Sequence, residues 1–302
     1  MMDLTRILIV IEADEPNQPA LDKAVMLAKF ADCELELIVS DFNSFLEDGY
    51  FYDPLQAKEL RYQHGEHRLA ELEAMAAPLR EQGLTVSVST AWENPPHKGV
   101  LSRAKMLDAS LLIKTTRKHS KLARHFLSNE DWELVRYCPI PLLLVKDLPW
   151  SRKPTFIAAI DPEHRHDKPS NLDQKLISST VALAAICGGD MHLYNSSWKP
   201  PLGGLYPLDA DSGRSEQALL ALAQEYEIKE EVCHCDNEPV ALGLPKLSES
   251  IGASAVVMGA ISRSRIDRIM IGSTAERLLD ELECDVFIIK PDHMPALNQF
   301  LL

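Results

Sequence analysis

Arg6-Ile7-Leu8-Ile9-Val10-Ile11-Glu12 is a continuous apolar run closed by an acid, and Phe156-Ile157-Ala158-Ala159-Ile160-Asp161 repeats that pattern halfway along the chain. A strand apolar at every position, rather than at every second one, is covered on both faces, as a central strand of a parallel sheet is. Behind each run comes a loop and a helical stripe: Leu21, Ala24, Val25, Ala28 and Ala31 after the first, Leu176, Thr180, Val181, Ala184 and Cys187 after the second. Each stripe leads into a further strand, Leu35 to Val39 and Met191 to Tyr194. The unit is β-α-β, and it occurs twice.

The later portions align without a gap. Pro95 matches Pro239, Ala109-Ser110 matches Ala253-Ser254, Leu134 matches Leu278 and Lys146 matches Lys290, each pair 144 residues apart. This regularity reads as an internal duplication. Strand patterns Leu111-Leu112-Ile113 and Ala255-Val256-Val257 fall in register, as do Leu142 to Val145 and Val286 to Ile289. The expected fold class is α/β: two tandem five-stranded parallel-sheet sandwiches, Rossmann-like, with ligands beyond the carboxyl ends of the strands. The proline-bearing stretch Asp147 to Pro154 reads as the linker, dividing the chain into residues 1–150 and 151–302. The two final apolar strands are expected to face each other in an internal pseudo-dimer, giving a monomer or a weak homodimer.

Composition narrows the function classes. The chain has 302 residues, 46% hydrophobic and 25% charged, with a net charge of −14. That is the make-up of two ordinary globular domains, and its charge repels nucleic acid and anionic membrane surfaces. No run of about 18 apolar residues exists, so no membrane insertion and a cytoplasmic location are expected. The six cysteines show no disulfide-framework spacing and read as reduced core residues.

A buried strand Val256-Val257-Met258 runs into Gly259-Ala260-Ile261-Ser262, and Gly272-Ser273-Thr274 opens a helical run nine residues later. Two small-residue turns of this kind bring free backbone N–H groups to one anion. The stretch resembles the nucleotide loop of universal stress proteins, G-x2-G-x9-G-[ST], except that Ser262 stands where the second glycine belongs. With the duplication, the resemblance covers nearly the whole chain: two universal stress protein domains in tandem, most like the E-type tandem members. It implies an adenine-nucleotide alpha hydrolase-like fold. It also implies an ATP or other adenine-nucleotide site in the second domain, with Asp161 near the base and ribose. Gly259, Ser262, Gly272, Ser273 and Thr274 would then lie along the phosphates, and Arg263 and Arg265 would add charge. Ser262 carries a Cβ that resists a left-handed turn by roughly 1–2 kcal/mol. The other reading is therefore a purely structural turn.

The first half has lost more. Thr115 replaces Gly259, Ser128 replaces Gly272, Asn129 replaces Ser273, and Glu130-Asp131 follows, where acids stabilise a helix start but repel phosphate. No ATP is expected in residues 1–150. The segment after the second strand of each half is aromatic: Phe42, Phe45, Tyr50, Phe51 and Tyr52, then Trp198 and Tyr206. These residues are taken to pack the interface between the halves, the alternative being a groove for an apolar or lipid-like ligand. Cys233-His234-Cys235 suggests a metal, but alternation along a strand sends His234 away from both thiols, and no metal site is expected.

A Walker loop and a G-x-S-x-G elbow are both absent. Three functions stand. The first is a non-catalytic stress-response module sensing a nucleotide; the second is a scaffold or carrier for an apolar ligand or an unknown protein partner; the third is a slow ATP hydrolase.

Overall fold

The computed structural model describes residues 4–47, 53–116, 127–163, 171–198, 212–259 and 271–291. The first half runs β1 (Arg6–Val10), α1 (Pro19–Ala31), β2 (Glu34–Asp41), α2 (Ser44–Glu47), α3 (Pro54–Glu81), β3 (Val86–Trp92), α4 (Pro96–Leu107), β4 (Leu111–Thr115), α5 (Asn129–Tyr137) and β5 (Leu142–Val145). The second half repeats the plan with β6 (Thr155–Ala159), α6 (Leu172–Cys187), β7 (Asp190–Ser196), α7 (Ser212–Glu225), β8 (Cys233–Asp236), α8 (Val240–Ser250), β9 (Ala255–Gly259), α9 (Ser273–Glu281) and β10 (Asp285–Ile289).

Local chemistry sets the helix limits. Pro19, Pro54 and Pro96 each take the first helical position of α1, α3 and α4, where a missing N–H costs nothing. Asp32 (φ 49°) and Gly188 (φ 60°) end α1 and α6 in the left-handed conformation that turns the chain into the next strand. Val181, read as part of the buried stripe of α6, is 38% exposed, because the helix buries Ile177, Thr180 and Ala184 instead.

Each half has the strand order 3-2-1-4-5, and the winding reverses between its first and fourth strands. The two sheets are joined into one. β5 and β10 pair antiparallel, Leu143 opposite Phe287, so ten strands run β3-β2-β1-β4-β5-β10-β9-β6-β7-β8. All other pairings are parallel. An isologous contact between two copies of one strand has to be antiparallel, so a duplicated domain closes on itself in this way. One apolar layer lies under α1, α3, α6 and α7 and the other under α4, α5, α8 and α9. Each layer crosses the seam between halves without interruption.

Polar groups also cross that seam in exchange. Lys146, after β5, donates to the carbonyls of Leu279 (3.2 Å) and Leu282 at the end of α9. Its counterpart Lys290, after β10, donates to Arg136 O of α5 at 2.7 Å. Burial lowers the Lys290 ammonium to about 8. Asp285, 1% exposed, has no counterpart acid, and the partners of its carboxylate among the described residues come from residues 1–150. It accepts from Lys146 N (2.7 Å) and Trp150 Nε1 (2.7 Å), with Lys23 Nζ at 3.5 Å. Burial raises Asp285 to about 6 despite Lys23.

Candidate functional site

The reversal of winding creates one crevice per half, at the carboxyl ends of β1 and β4 and of β6 and β9. The two are built differently.

In the second crevice Asp161 follows β6, and its backbone N–H is held by Asp173 Oδ1 (3.2 Å) from the first turn of α6. Asp161 Oδ2 is buried and has no hydrogen-bond partner among the described residues. Gly259 ends β9 next door. A Cβ there would come within 2.8 Å of Leu172 Cδ2, so the glycine admits the fully buried Leu172 of α6 against the strand. Gly272 is the N-cap of α9, at an ordinary φ of −72°, with nothing within 4 Å of where its Cβ would be. No side chain caps that helix start among the described residues. Thr274 is exposed on its first turn. Ser262, Arg263 and Arg265 lie outside the described residues, as does the side chain of Ser273.

The first crevice is filled by its own side chains. Lys114, in Met258's place on β4, is 5% exposed. Its ammonium lies 2.7 Å from Glu12 Oε1 and 3.0 Å from Asp131 Oδ1, the latter an ion pair rather than a directed hydrogen bond. Burial alone would lower Lys114; the carboxylates of Asp131 and Glu12 outweigh it and hold the charge well above its ordinary range. Ser128 and Asp131 form a reciprocal capping box at the start of α5, with Asp131 N to Ser128 Oγ at 3.1 Å and Ser128 N to Asp131 Oδ2 at 2.8 Å. Thr115, in Gly259's place, accepts from Ala20 N at 3.1 Å and so pins the start of α1.

Sequence reasoning missed Lys114 and Arg68. A lysine ending the apolar run Leu111-Leu112-Ile113 was a usable signal, because a charge there must be paired. Arg68 of α3 gave none. It forks to both Asp14 carboxylate oxygens (3.1 and 3.0 Å) and to Asp41 Oδ2 (3.0 Å), where His64 also binds at 2.7 Å. These partners raise the Arg68 guanidinium, led by the Asp14 hydrogen bond.

The aromatic loops are not interface packing where they are described. Phe42 lies 6.0 Å from the Trp92 ring of its own half, while Phe45 is 58% and Trp198 37% exposed. The reason is topological: β2 and β7 stand one strand in from the two ends of the ten-stranded sheet, far from the β5–β10 seam. Tyr50, Phe51, Tyr52 and Tyr206 lie outside the described residues. In β8, Cys233 and Cys235 pack on one apolar layer, and His234 faces the other way to meet His192 (Nδ1 to Nε2, 2.9 Å). Burial lowers both imidazoles. No three His, Cys, Asp or Glu side chains gather for a metal among the described residues.

Fold and crevices together define a tandem, doubly wound α/β protein with one crevice closed by an ion triad. The model of the universal stress protein family matches residues 4–146 and 166–290, and the chain belongs to that family. It is 27% identical over 295 residues to universal stress protein E of Salmonella typhi, covering 94% of each chain. To the protein of that name from Escherichia coli K12 it is 26% identical over 295 residues, covering 94% of this chain and 93% of that one. Among solved structures, a functionally unknown protein from Pseudomonas aeruginosa PAO1 superposes with a TM-score of 0.77 at 26% identity, covering 99% of this chain and 96% of that one. A universal stress protein from Archaeoglobus fulgidus shares the fold (TM-score 0.69, 15% identity, 94% of this chain and 98% of that one). The similarity to E-type tandem members thus extends over nearly the full length, and stress response is the role this membership carries. No helix among the described residues is long and apolar enough to cross a membrane.

Proposed function

We propose that this is a non-catalytic, cytoplasmic stress-response protein whose second domain, residues 151–302, holds an adenine nucleotide such as ATP, while residues 1–150 hold none. The observation that carries this reading is the contrast between two equivalent helix starts. In α5 the backbone N–H groups of Ser128 and Asp131 are each taken by the other's side chain, whereas no side chain among the described residues caps the start of α9 at Gly272. A helix start with free N–H groups favours a phosphate. The orphaned Asp161 Oδ2 fits the same ligand, because an amino or hydroxyl donor of a nucleoside would satisfy it. Gly259, Gly272, Ser273 and Thr274 would hold the nucleotide together with Asp161, and Ser262, Arg263 and Arg265 would complete the loop.

A second reading rests on the exposed Phe45 and Trp198 at the carboxyl edges: a scaffold or carrier for an apolar ligand or a protein partner. Native mass spectrometry of the gently purified chain separates the two. One ATP or ADP per chain, lost in Gly272→Asp, supports the nucleotide reading. An apolar adduct moves the site to the aromatic loops, and an empty chain that also ignores added ATP leaves the scaffold. Steady release of phosphate from ATP by the pure chain would overturn the non-catalytic assignment.

A further inference from the structure

Lys146 and Lys290 occupy equivalent places, yet the helices they reach differ in a way that matters at the opposite end. α5 is closed at both ends, by its own capping box and by Lys290. Among the described residues α9 is closed by a side chain at its last turn alone, by Lys146 of the first unit. Its open end lies at the carboxyl edge of the sheet, because α9 runs back from β9 to the start of β10.

Nine residues make too short a helix to hold its own direction in water. Leu278, Leu279 and Leu282, its most deeply buried residues, lie in or beyond its second half; at the other end Ile271 before the cap is buried and Ala275 packs partly on the same layer, whereas Thr274 and Glu276 of the first turn are exposed. Most of the anchoring that aims the first turn therefore lies at the far end. The Lys146 ammonium, 4% exposed and donating to the carbonyls of Leu279 and Leu282, is the polar part of that anchor. A cation at the last carbonyls also favours the aligned peptide dipoles whose positive end meets an anion.

We infer that Lys146 is a positioning residue for the anion-binding end of α9, so that the first unit sets the second unit's affinity for nucleotide. This rests on the nucleotide reading above. The test compares full-length Lys146→Met and Lys290→Met, two lysines of like burial and like chemistry, by ATP titration calorimetry, thermal unfolding and amide exchange. Both variants are expected to melt earlier. Lys146→Met alone is expected to weaken ATP about three- to tenfold and to speed amide exchange at residues 273–276. Unchanged affinity in Lys146→Met, or equal weakening in Lys290→Met, overturns the inference, since a merely structural seam would give one or the other. Should the wild type bind no ATP, the nucleotide reading fails by itself. Exchange at residues 273–276 then decides the positioning role, and no acceleration in Lys146→Met overturns it.

Discussion

Lys114 shows how a single side chain can retire a crevice. A lysine that is 5% exposed is tolerable only with charges against it, and Glu12 and Asp131 supply them from β1's end and α5's first turn. Removing the cation leaves two carboxylates facing each other without a counter-ion. Lys114→Met is therefore expected to cost about 3–5 kcal/mol, read from urea unfolding midpoints. Transplanting the second domain's residues together, as Glu12→Asp, Lys114→Met and Asp131→Ala, removes the buried Asp131 carboxylate with the cation and leaves one acid, at the partly exposed position 12. That triple variant is expected to lie within about 2 kcal/mol of the wild type. A triple variant as unstable as Lys114→Met would show that packing, and not charge, closes this crevice.

The elements differ in how far their sequences announced them. Fully apolar strands such as Ile7 to Ile11 and Leu142 to Val145 read at once, because burial on both faces leaves no polar position to confuse them. The 144-residue repeat placed their partners. α3 was not legible: it buries only Ala57, Arg68, Leu72 and Ala76 along 28 residues, so no apolar stripe marks it, and an arginine fork secures it. Of the site, Gly272 and Asp161 could be read from motif position. The ion triad could not, because it joins residues from three elements. The same limit hid His192 from His234, 42 residues away.

That β7–β8 pair gives an expected pH effect. Burial lowers both imidazoles from 6.5, so the folded pair resists protons that the unfolded chain accepts. Stability from this source is present above the ordinary value and is lost as pH falls below about 6.5. Asp285, raised to about 6, acts with the opposite sign in the same window. The check is therefore a difference: chemical unfolding of the wild type minus His192→Gln/His234→Gln, measured at pH 7 and pH 5, should shrink toward the acid side. A constant difference would mean that the pair takes up protons equally in the folded and unfolded chains, which burial of the imidazoles forbids. At another element, Gly272→Asp is expected to raise stability by a few tenths of a kcal/mol by capping α9 while abolishing any bound nucleotide. Calorimetry and ATP titration on the same sample test both.

At the scale of the molecule, the question is why two domains that could each pair with a copy pair with one another. β5 and β10 present the same kind of apolar edge, and an uncovered edge invites any strand. Asp285 supplies the discrimination. In the full chain it is buried against Lys146 N, Trp150 Nε1 and Lys23, all within residues 1–150. If residues 151–302 paired with themselves, each Asp285 would be buried without Trp150 or Lys23, and an uncompensated buried carboxylate costs several kcal/mol. Residues 1–150 carry Pro141 at the equivalent position and meet no such penalty. Sedimentation equilibrium on the two halves made separately should therefore show a dimer for residues 1–150, a weaker one for residues 151–302, and a 1:1 complex when they are mixed. Asp285→Asn in the second fragment should strengthen its self-association and weaken its preference for the first. If both fragments dimerise equally well, and the substitution changes neither, the choice of partner rests on the tether between Val145 and Thr155 and not on the chemistry of the seam.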